Sequence, residues 1–149
     1  MRAVIQRVIE ASVSVDGEMI SSIGAGLLAL VCAETGDAGP DARYMVDKIP
    51  NLRIFEDSEG KMNRSLQDVQ GALLVVSQFT LAGDARHGRR PSFSTAARPD
   101  VAIPLLDEMM DGVRKLGIEV QTGRFQADMK VHLVNDGPVT ILLDSRKGF

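Results

Sequence analysis

Two short polar segments, each joined to an apolar run, hold most of the chemistry this chain can offer. The first is Ser77-Gln78-Phe79-Thr80-Leu81, which follows Ala72-Leu73-Leu74-Val75-Val76. The second is Asn135-Asp136-Gly137-Pro138-Val139-Thr140, set between apolar residues 129–134 and 141–143. Apolar runs of this length read as buried strands, so a sheet would deliver both segments to a surface cleft. Gln78 supplies two amide donors and a carbonyl acceptor, and Ser77 and Thr80 each add a hydroxyl. Backbone N–H groups at a strand end can complete an oxyanion hole. This equipment suits an activated ester better than an amide or a phosphate ester. The plainer reading is a strand end where Phe79 and Leu81 pack and the polar residues meet water. On these residues alone, that reading leads.

Other catalytic kits are missing. His87 lies in an arginine-rich stretch, and His132 shares strand register with Lys130, opposite Met129, Val131 and Leu133. A Ser-His-Asp triad from Ser77 or Thr80 with His132 stays open, but a sheet-face position suits His132 better. No His, Cys or carboxylate cluster has metal-ligand spacing. There is no glycine-rich phosphate loop and no Gly-x-Ser-x-Gly elbow, so we expect neither metal nor cofactor. Asn-Asp-Gly-Pro is by composition a turn. An X-Pro bond is cis in only about 5% of cases, so the residues alone predict a trans turn.

The elements that must position these groups can be read along the chain. Residues 1–15 carry Val4, Ile5, Val8, Ile9, Val13 and Val15, and Asp16-Gly17 signals a hairpin. Residues 19–23 should return along that strand, and residues 27–33 form a third after Gly24 and Gly26 break the chain. Pro40 suits a first helical position. Its helix puts Tyr44, Met45, Ile49 and Leu52 on one side, and Pro50 should end or kink it near Ile49. Ile54-Phe55 reads as a short strand, residues 57–60 as a turn and residues 61–70 as irregular.

A second helix carries Leu105, Leu106, Met109, Met110, Val113 and Leu116 at helical spacing, with Pro104 near its start and Gly117 past its end. Residues 118–122, 129–134 and 139–144 read as three closing strands, the first two flanking a connection over 123–127. Roughly seven strands and two helices at uneven spacing define an α+β domain rather than regular βαβ alternation. The 149 residues make one domain, able to bury a core unaided.

The net charge of −3 at first disfavours a nucleic-acid partner. Residues 83–98, however, hold Arg86, Arg89, Arg90 and Arg98 against Asp84 alone, a local surplus of three positive charges. An acidic body with one basic loop fits brief contact with a phosphate backbone. A merely solvated loop explains the charge equally well. The charge-free apolar stretches are too short to cross a bilayer, and we expect no signal peptide or anchor. The single Cys32 follows Leu27-Leu28-Ala29-Leu30-Val31 and reads as a core thiol in a reducing, cytoplasmic setting.

Together the two polar segments resemble the signature motifs of the D-aminoacyl-tRNA (D-tyrosyl-tRNA) deacylases. Met1-Arg2-Ala3-Val4-Ile5-Gln6-Arg7-Val8, Asn51-Leu52-Arg53-Ile54-Phe55, Gly60-Lys61-Met62-Asn63 and Arg90-Pro91-Ser92-Phe93 extend the resemblance over nearly the whole chain. It implies a rolled, barrel-like sheet with two helices, working as a homodimer with active sites at the subunit interface. It further implies hydrolysis of the ester of D-aminoacyl-tRNA, with achiral glycyl-tRNA also accepted. Ser77, Gln78, Phe79 and Thr80 would line the catalytic pocket. A cis Gly137-Pro138 from the partner subunit would exclude L-aminoacyl groups. Phe125, Met129 and Ala102 would receive the terminal adenine, and Arg86, Arg89 and Arg90 are our choices for the tRNA backbone.

Thr80 could act as a nucleophile, though no base is visible to activate it. Alternatively the substrate's 2′-hydroxyl assists a water while the protein positions the ester, and the absence of a motif histidine favours this view. No DNA or membrane partner is expected. Two other functions stay in view: a non-catalytic RNA- or translation-associated binding module, and a small-molecule D-amino acid esterase. One departure matters. Gln126, in Gly123-Arg124-Phe125-Gln126-Ala127, stands where the family usually has glycine. A positive φ there would strain it.

Overall fold

A computed structural model describes all of residues 1–149. Eight strands and two helices follow in the order β1 (Arg2–Val15), β2 (Glu18–Ile23), β3 (Gly26–Cys32), α1 (Gly39–Asn51), β4 (Phe55–Glu56), β5 (Met62–Arg64), β6 (Ala72–Ser77), α2 (Pro99–Arg114), β7 (Val120–Thr122) and β8 (Met129–Asp144). The main sheet runs β2-β1-β3-β6-β7, and β8 takes the other edge of β1. Pairing is antiparallel around β1 and parallel from β3 to β6 to β7. The sheet rolls until β2 approaches β7, giving a nearly closed, barrel-like α+β architecture.

Both faces of the central strands are buried, which is why β3 and β6 read as continuous apolar runs rather than alternating ones. Leu27, Ala29, Val31, Leu73 and Val75 join the core beneath the helices, with Met45, Ile49, Met109 and Val113. Leu28, Leu74 and Val76 face the other way, into a smaller core with Val8, Val13 and Ile23. The barrel therefore has two separate apolar fillings.

α1 ends at Asn51, one residue past Pro50 and close to the expected stop near Ile49. Three local expectations need correction. α2 begins at Pro99, so Pro104 lies inside the helix rather than near its start; Pro99 meets the first-turn preference, where a missing N–H costs nothing. The irregular 61–70 segment contains β5, which pairs with β4. Finally, residues 129–144 form one long strand rather than two joined by a turn, because β1 pairs with both halves.

The two halves keep different registers. Gln6 pairs with Thr140 and Val8 pairs with Asn135. Arg7 alone on β1 therefore faces the four residues Asp136–Val139 on β8, a large bulge of the kind that re-aims a segment out of a ladder.

Cys32 is buried at the end of β3. Burial above all, helped by the Glu34 carboxylate, pushes its thiol from an ordinary 9.0 up to about 11. A raised native value leaves stability untouched below pH 9.0 and erodes it as pH rises toward about 11. At pH 8 an aromatic disulfide reagent should leave the native chain unmodified and label it stoichiometrically after denaturation. Rapid labelling of native protein would contradict this burial.

Candidate active site

β6 ends at Ser77, and Gln78 still holds β3 by donating its backbone N–H to the Val31 carbonyl at 2.8 Å. The chain then tightens into a 3-10 turn over Phe79–Ala82. Leu81 N–H donates to the Gln78 carbonyl at 3.2 Å and Gly83 N–H to that of Thr80 at 3.0 Å. Arg2 Nη1 donates to the Leu81 carbonyl at 3.3 Å and ties the turn to β1. The turn thus gathers Gln78, Phe79 and Thr80 at one corner instead of spreading them over alternate faces of a strand. Gln78 Nε2 donates to Thr80 Oγ1 at 2.5 Å. That bond leaves the Thr80 hydroxyl proton free for another acceptor.

Ser77, Gln78, Phe79 and Thr80 line a cleft of about 600 Å³, a size that suits a small organic group. More of its lining comes from the β7–β8 connection and the start of β8: Phe125, Gln126, Ala127, Asp128, Met129 and Val131. Phe125 packs on the larger core and Met129 on the smaller one, so the cleft opens where the two meet. Phe79 is 57% exposed and meets the Phe93 ring edge-on at 5.2 Å. Ala102 does not reach the cleft. Because α2 starts at Pro99, that proline takes the wall position and Ala102 is buried in the core on which Phe125 packs.

The open possibility of a triad with His132 is not realised. His132 is exposed on β8, its Nε2 3.2 Å from Glu10 Oε1, and is absent from the cleft lining. Asp128 is the one carboxylate on that lining, and Lys130 Nζ holds its two oxygens at 3.0 and 3.1 Å. No group of three or more His, Cys, Asp or Glu side chains is arranged to hold a metal ion. The cleft thus sets a few donors, from Ser77, Gln78 and Thr80, in a mostly apolar lining and has no free base beside Thr80.

The second segment stands apart from this cleft: neither Gly137 nor Pro138 lines it. Arg7, 6% exposed, fills the space behind the bulge. Its Nε donates to the Asp136 carbonyl at 2.9 Å and its Nη1 to the Ile54 carbonyl at 2.7 Å. Asn135 closes the bulge by accepting the Val139 N–H at 2.8 Å and donating to Thr140 Oγ1 at 3.2 Å. The Gly137–Pro138 peptide bond is cis, so the trans turn that composition predicts is not what forms. Gly137 has φ +141, and a Cβ there would sit 2.7 Å from Val139 Cγ2. Only glycine fits. Sequence reasoning missed Arg7 and Asn135 as supports. A charged residue within the apolar alternation of the first strand was the available signal.

The basic loop is closed at its base by paired backbone bonds between Asp84 and Ser92, at 2.8 and 2.9 Å. Arg86 forks onto Asp84 at 2.9 and 2.7 Å and holds that carboxyl well below the usual range. Arg89 and Arg90 are exposed and enter no ion pair. Gln126 is the remaining oddity, with φ +61. Ala127 N–H donates to the Arg124 carbonyl at 3.2 Å, so Gln126 holds the third position of a tight turn, where positive φ favours glycine.

The family model for D-Tyr-tRNA(Tyr) deacylase matches residues 4–144. D-aminoacyl-tRNA deacylases of Desulfitobacterium hafniense (strain DSM 10664 / DCB-2) and Syntrophotalea carbinolica are each 58% identical over 149 residues, covering 100% of both chains. That of Roseiflexus sp. (strain RS-1) is 59% identical over 97% of this chain and 94% of its own. A solved structure described as c-Myc DNA Unwinding Element Binding Protein superposes with a TM-score of 0.91 at 42% identity, covering 97% of this chain and 98% of its own. A probable eukaryotic D-amino acid tRNA deacylase, at 18% identity and a TM-score of 0.75 over 95% and 97%, shares the fold. The family model and these full-length relatives place the chain among small hydrolases. The chain belongs to the D-Tyr-tRNA(Tyr) deacylase family.

Two substitutions test this geometry. Gly137→Ala should displace the bulge and cut deacylation by at least about tenfold, while the circular dichroism spectrum stays native. Unchanged turnover would show that the projected segment has no part in the reaction. Gln126→Gly should stabilise the chain to urea by about 1 kcal/mol by removing a left-handed Cβ clash. Destabilisation would mean that the side chain makes a compensating contact.

Proposed function

We propose that this protein hydrolyses the ester of D-aminoacyl-tRNA, releasing the free D-amino acid and the tRNA. The observation that carries the reading is a Thr80 hydroxyl bound by Gln78 in a cleft with no free base. Such a site positions an ester rather than attacking it. The leading N–H groups of the Phe79–Ala82 turn lack carbonyl partners three residues back, and they would hold the oxyanion. The substrate brings a vicinal 2′-hydroxyl to assist water, which adds to the carbonyl carbon. The ester oxygen then leaves on the ribose and takes up a proton. Ser77 and Phe79 shape the pocket, and Phe125 and Met129 take the terminal adenine, with Ala102 backing Phe125 from the core.

Gly137 and Pro138 do not line the cleft of their own chain, and in this reading they serve the cleft of a second copy. The outer face of β1 and β8 supports such pairing, since Ile9, Val134 and Leu142 are exposed there on either side of the bulge. A single-sheet face left to water would be polar. Backbone groups of the visiting Gly137-Pro138 would bind the α-amino group and leave no room for an L side chain. Glycyl-tRNA would pass the same filter. Arg89 and Arg90 would meet the tRNA backbone, and Arg86, already forked onto Asp84, would contribute less. A cytoplasmic location follows from the substrate.

The name of one solved relative describes DNA binding by that protein, which favours a non-catalytic nucleic-acid module as the second reading. Chelator-treated protein offered D-tyrosyl-tRNA and L-tyrosyl-tRNA separately decides between them. Loss of the D ester alone is expected. Loss of neither, with the oligomer intact and added metal without effect, would leave the binding module.

Thr80→Ala should slow D-ester hydrolysis without abolishing it, and an acyl group trapped on Thr80 would overturn the positioning role. Neutralising Arg86, Arg89 and Arg90 together should weaken tRNA binding and flatten its dependence on log salt by about two units of slope. An unchanged slope would point to a small-molecule esterase.

A further inference from the structure

We infer that Arg2, held by the buried Glu34, is a positioning residue of the reaction: it fixes the turn that carries Gln78 and Thr80. The inference rests on the deacylase reading and deepens it.

The turn over Phe79–Ala82 is held by its carbonyls. Cys32 Sγ lies 3.6 Å from the Phe79 carbonyl, its proton shared with the Ala33 carbonyl at 3.2 Å. The Thr80 carbonyl accepts the Gly83 N–H, a bond local to the turn. Thr95 Oγ1 reaches the Ala82 carbonyl at 3.4 Å and Glu34 Oε1 at 3.5 Å, so it too divides one proton between two acceptors. That leaves the Leu81 carbonyl, and Arg2 Nη1 is its donor at 3.3 Å. Arg2 is the one charged donor of the four, and charged donors make bonds about twice as strong as neutral ones. The firmest outside tether of the turn is therefore the first arginine of β1.

Glu34 fixes the position of that tether. It is 5% exposed, and its Oε2 lies 3.2 Å from Arg2 Nε, an ion pair without hydrogen-bond alignment. A carboxylate buried to this degree is costly unless a cation answers it, so the guanidinium is pinned beside it. Thr95, on the other carboxylate oxygen, links the same charge to the Ala82 carbonyl. One buried charge thus steers two side chains onto neighbouring carbonyls of the turn. The sheet does not need the Arg2 side chain, because its backbone is already paired with Cys32 and Asp144. The site does need the turn in place: a displacement of about 1 Å in a positioning group can cost about 10²-fold in rate.

The test compares two non-hydrolysable ligands. One is 3′-D-tyrosylamido-adenosine, with a planar carbonyl. The other replaces that carbonyl with a tetrahedral, anionic phosphonamidate, which has the shape and charge of the reacting centre. Arg2→Met alone would strand the buried Glu34, so the variant is Arg2→Met with Glu34→Gln, which removes one charge of each sign. Calorimetry should show the planar ligand bound within about twofold of wild type and the tetrahedral one weakened by about tenfold. The kcat for D-tyrosyl-tRNA should fall by a similar factor at nearly constant KM. Arg2→Lys, which keeps a charge beside Glu34 but exchanges the fork for one ammonium, should shift the same ratio in the same direction, and it decides the matter if the double variant does not fold. Val113→Ala, a core truncation that does not line the cleft, should lower resistance to urea and leave the ratio of the two affinities as in wild type.

A wild-type ratio in the Arg2 variants, whether both ligands bind normally or both weaken alike, overturns the role, provided wild-type protein hydrolyses D-tyrosyl-tRNA in the same preparation. An equal loss of the ratio in Val113→Ala would trace it to stability and overturn the role as well. Wild-type protein that leaves D-tyrosyl-tRNA intact removes the deacylase reading and this inference with it.

Discussion

The structure turns on a mismatch of register between β1 and β8. One residue, Arg7, faces four, Asp136–Val139, and the surplus backbone leaves the ladder. Such a bulge needs support from behind, because carbonyls that lose their sheet partners are costly to bury. The Arg7 guanidinium supplies it by binding the Asp136 and Ile54 carbonyls at once. A buried arginine is expensive unless its donors are used, and here the bulge uses them. Arg7, Asn135 and Gly137 therefore form one device, with a donor fork, an amide clasp and a residue without Cβ.

The same sheet explains where the cleft lies. Parallel pairing of β3, β6 and β7 buries both faces and leaves two apolar fillings, and Phe125 and Met129 belong one to each. A gap at the junction of two packed bodies can stay open without exposing either core. The 3-10 turn after β6 brings Gln78 and Thr80 to that gap, and their mutual bond orients the hydroxyl. The proposed chemistry follows from what this polarity permits. The cleft offers fixed donors to developing negative charge, and the substrate contributes the neighbouring hydroxyl.

Much of this was legible in the residues. The Asp16-Gly17 hairpin, the apolar runs of β3 and β6 and the helical stripe from Leu105 to Val113 each carry a local signal that tertiary contacts do not override. Ser77–Thr80 could be singled out because polar groups end an apolar strand. The single strand Met129–Asp144 could not, since Asn-Asp-Gly-Pro has turn composition and only pairing with β1 holds it extended. Pro104 misled for a related reason: an earlier proline, Pro99, had already opened the helix. Gln126 was legible as a departure from glycine, and its φ of +61 is the strained value that departure raised. Arg7 was hidden because its partners are backbone carbonyls far away in sequence.

The central claim is that the segment held by Arg7 works in the cleft of a second copy. Mixing two disabled variants tests it most directly. One carries Gly137→Ala with an intact cleft, and the other carries Gln78→Ala and Thr80→Ala with an intact Gly137-Pro138. After co-refolding, a mixed dimer would contain one cleft and one projecting segment that are both sound, and hydrolysis of D-tyrosyl-tRNA should return well above that of either variant alone. If each variant forms dimers and the mixture stays as inactive as its parts, the segment and the cleft do not meet across subunits, and the account fails.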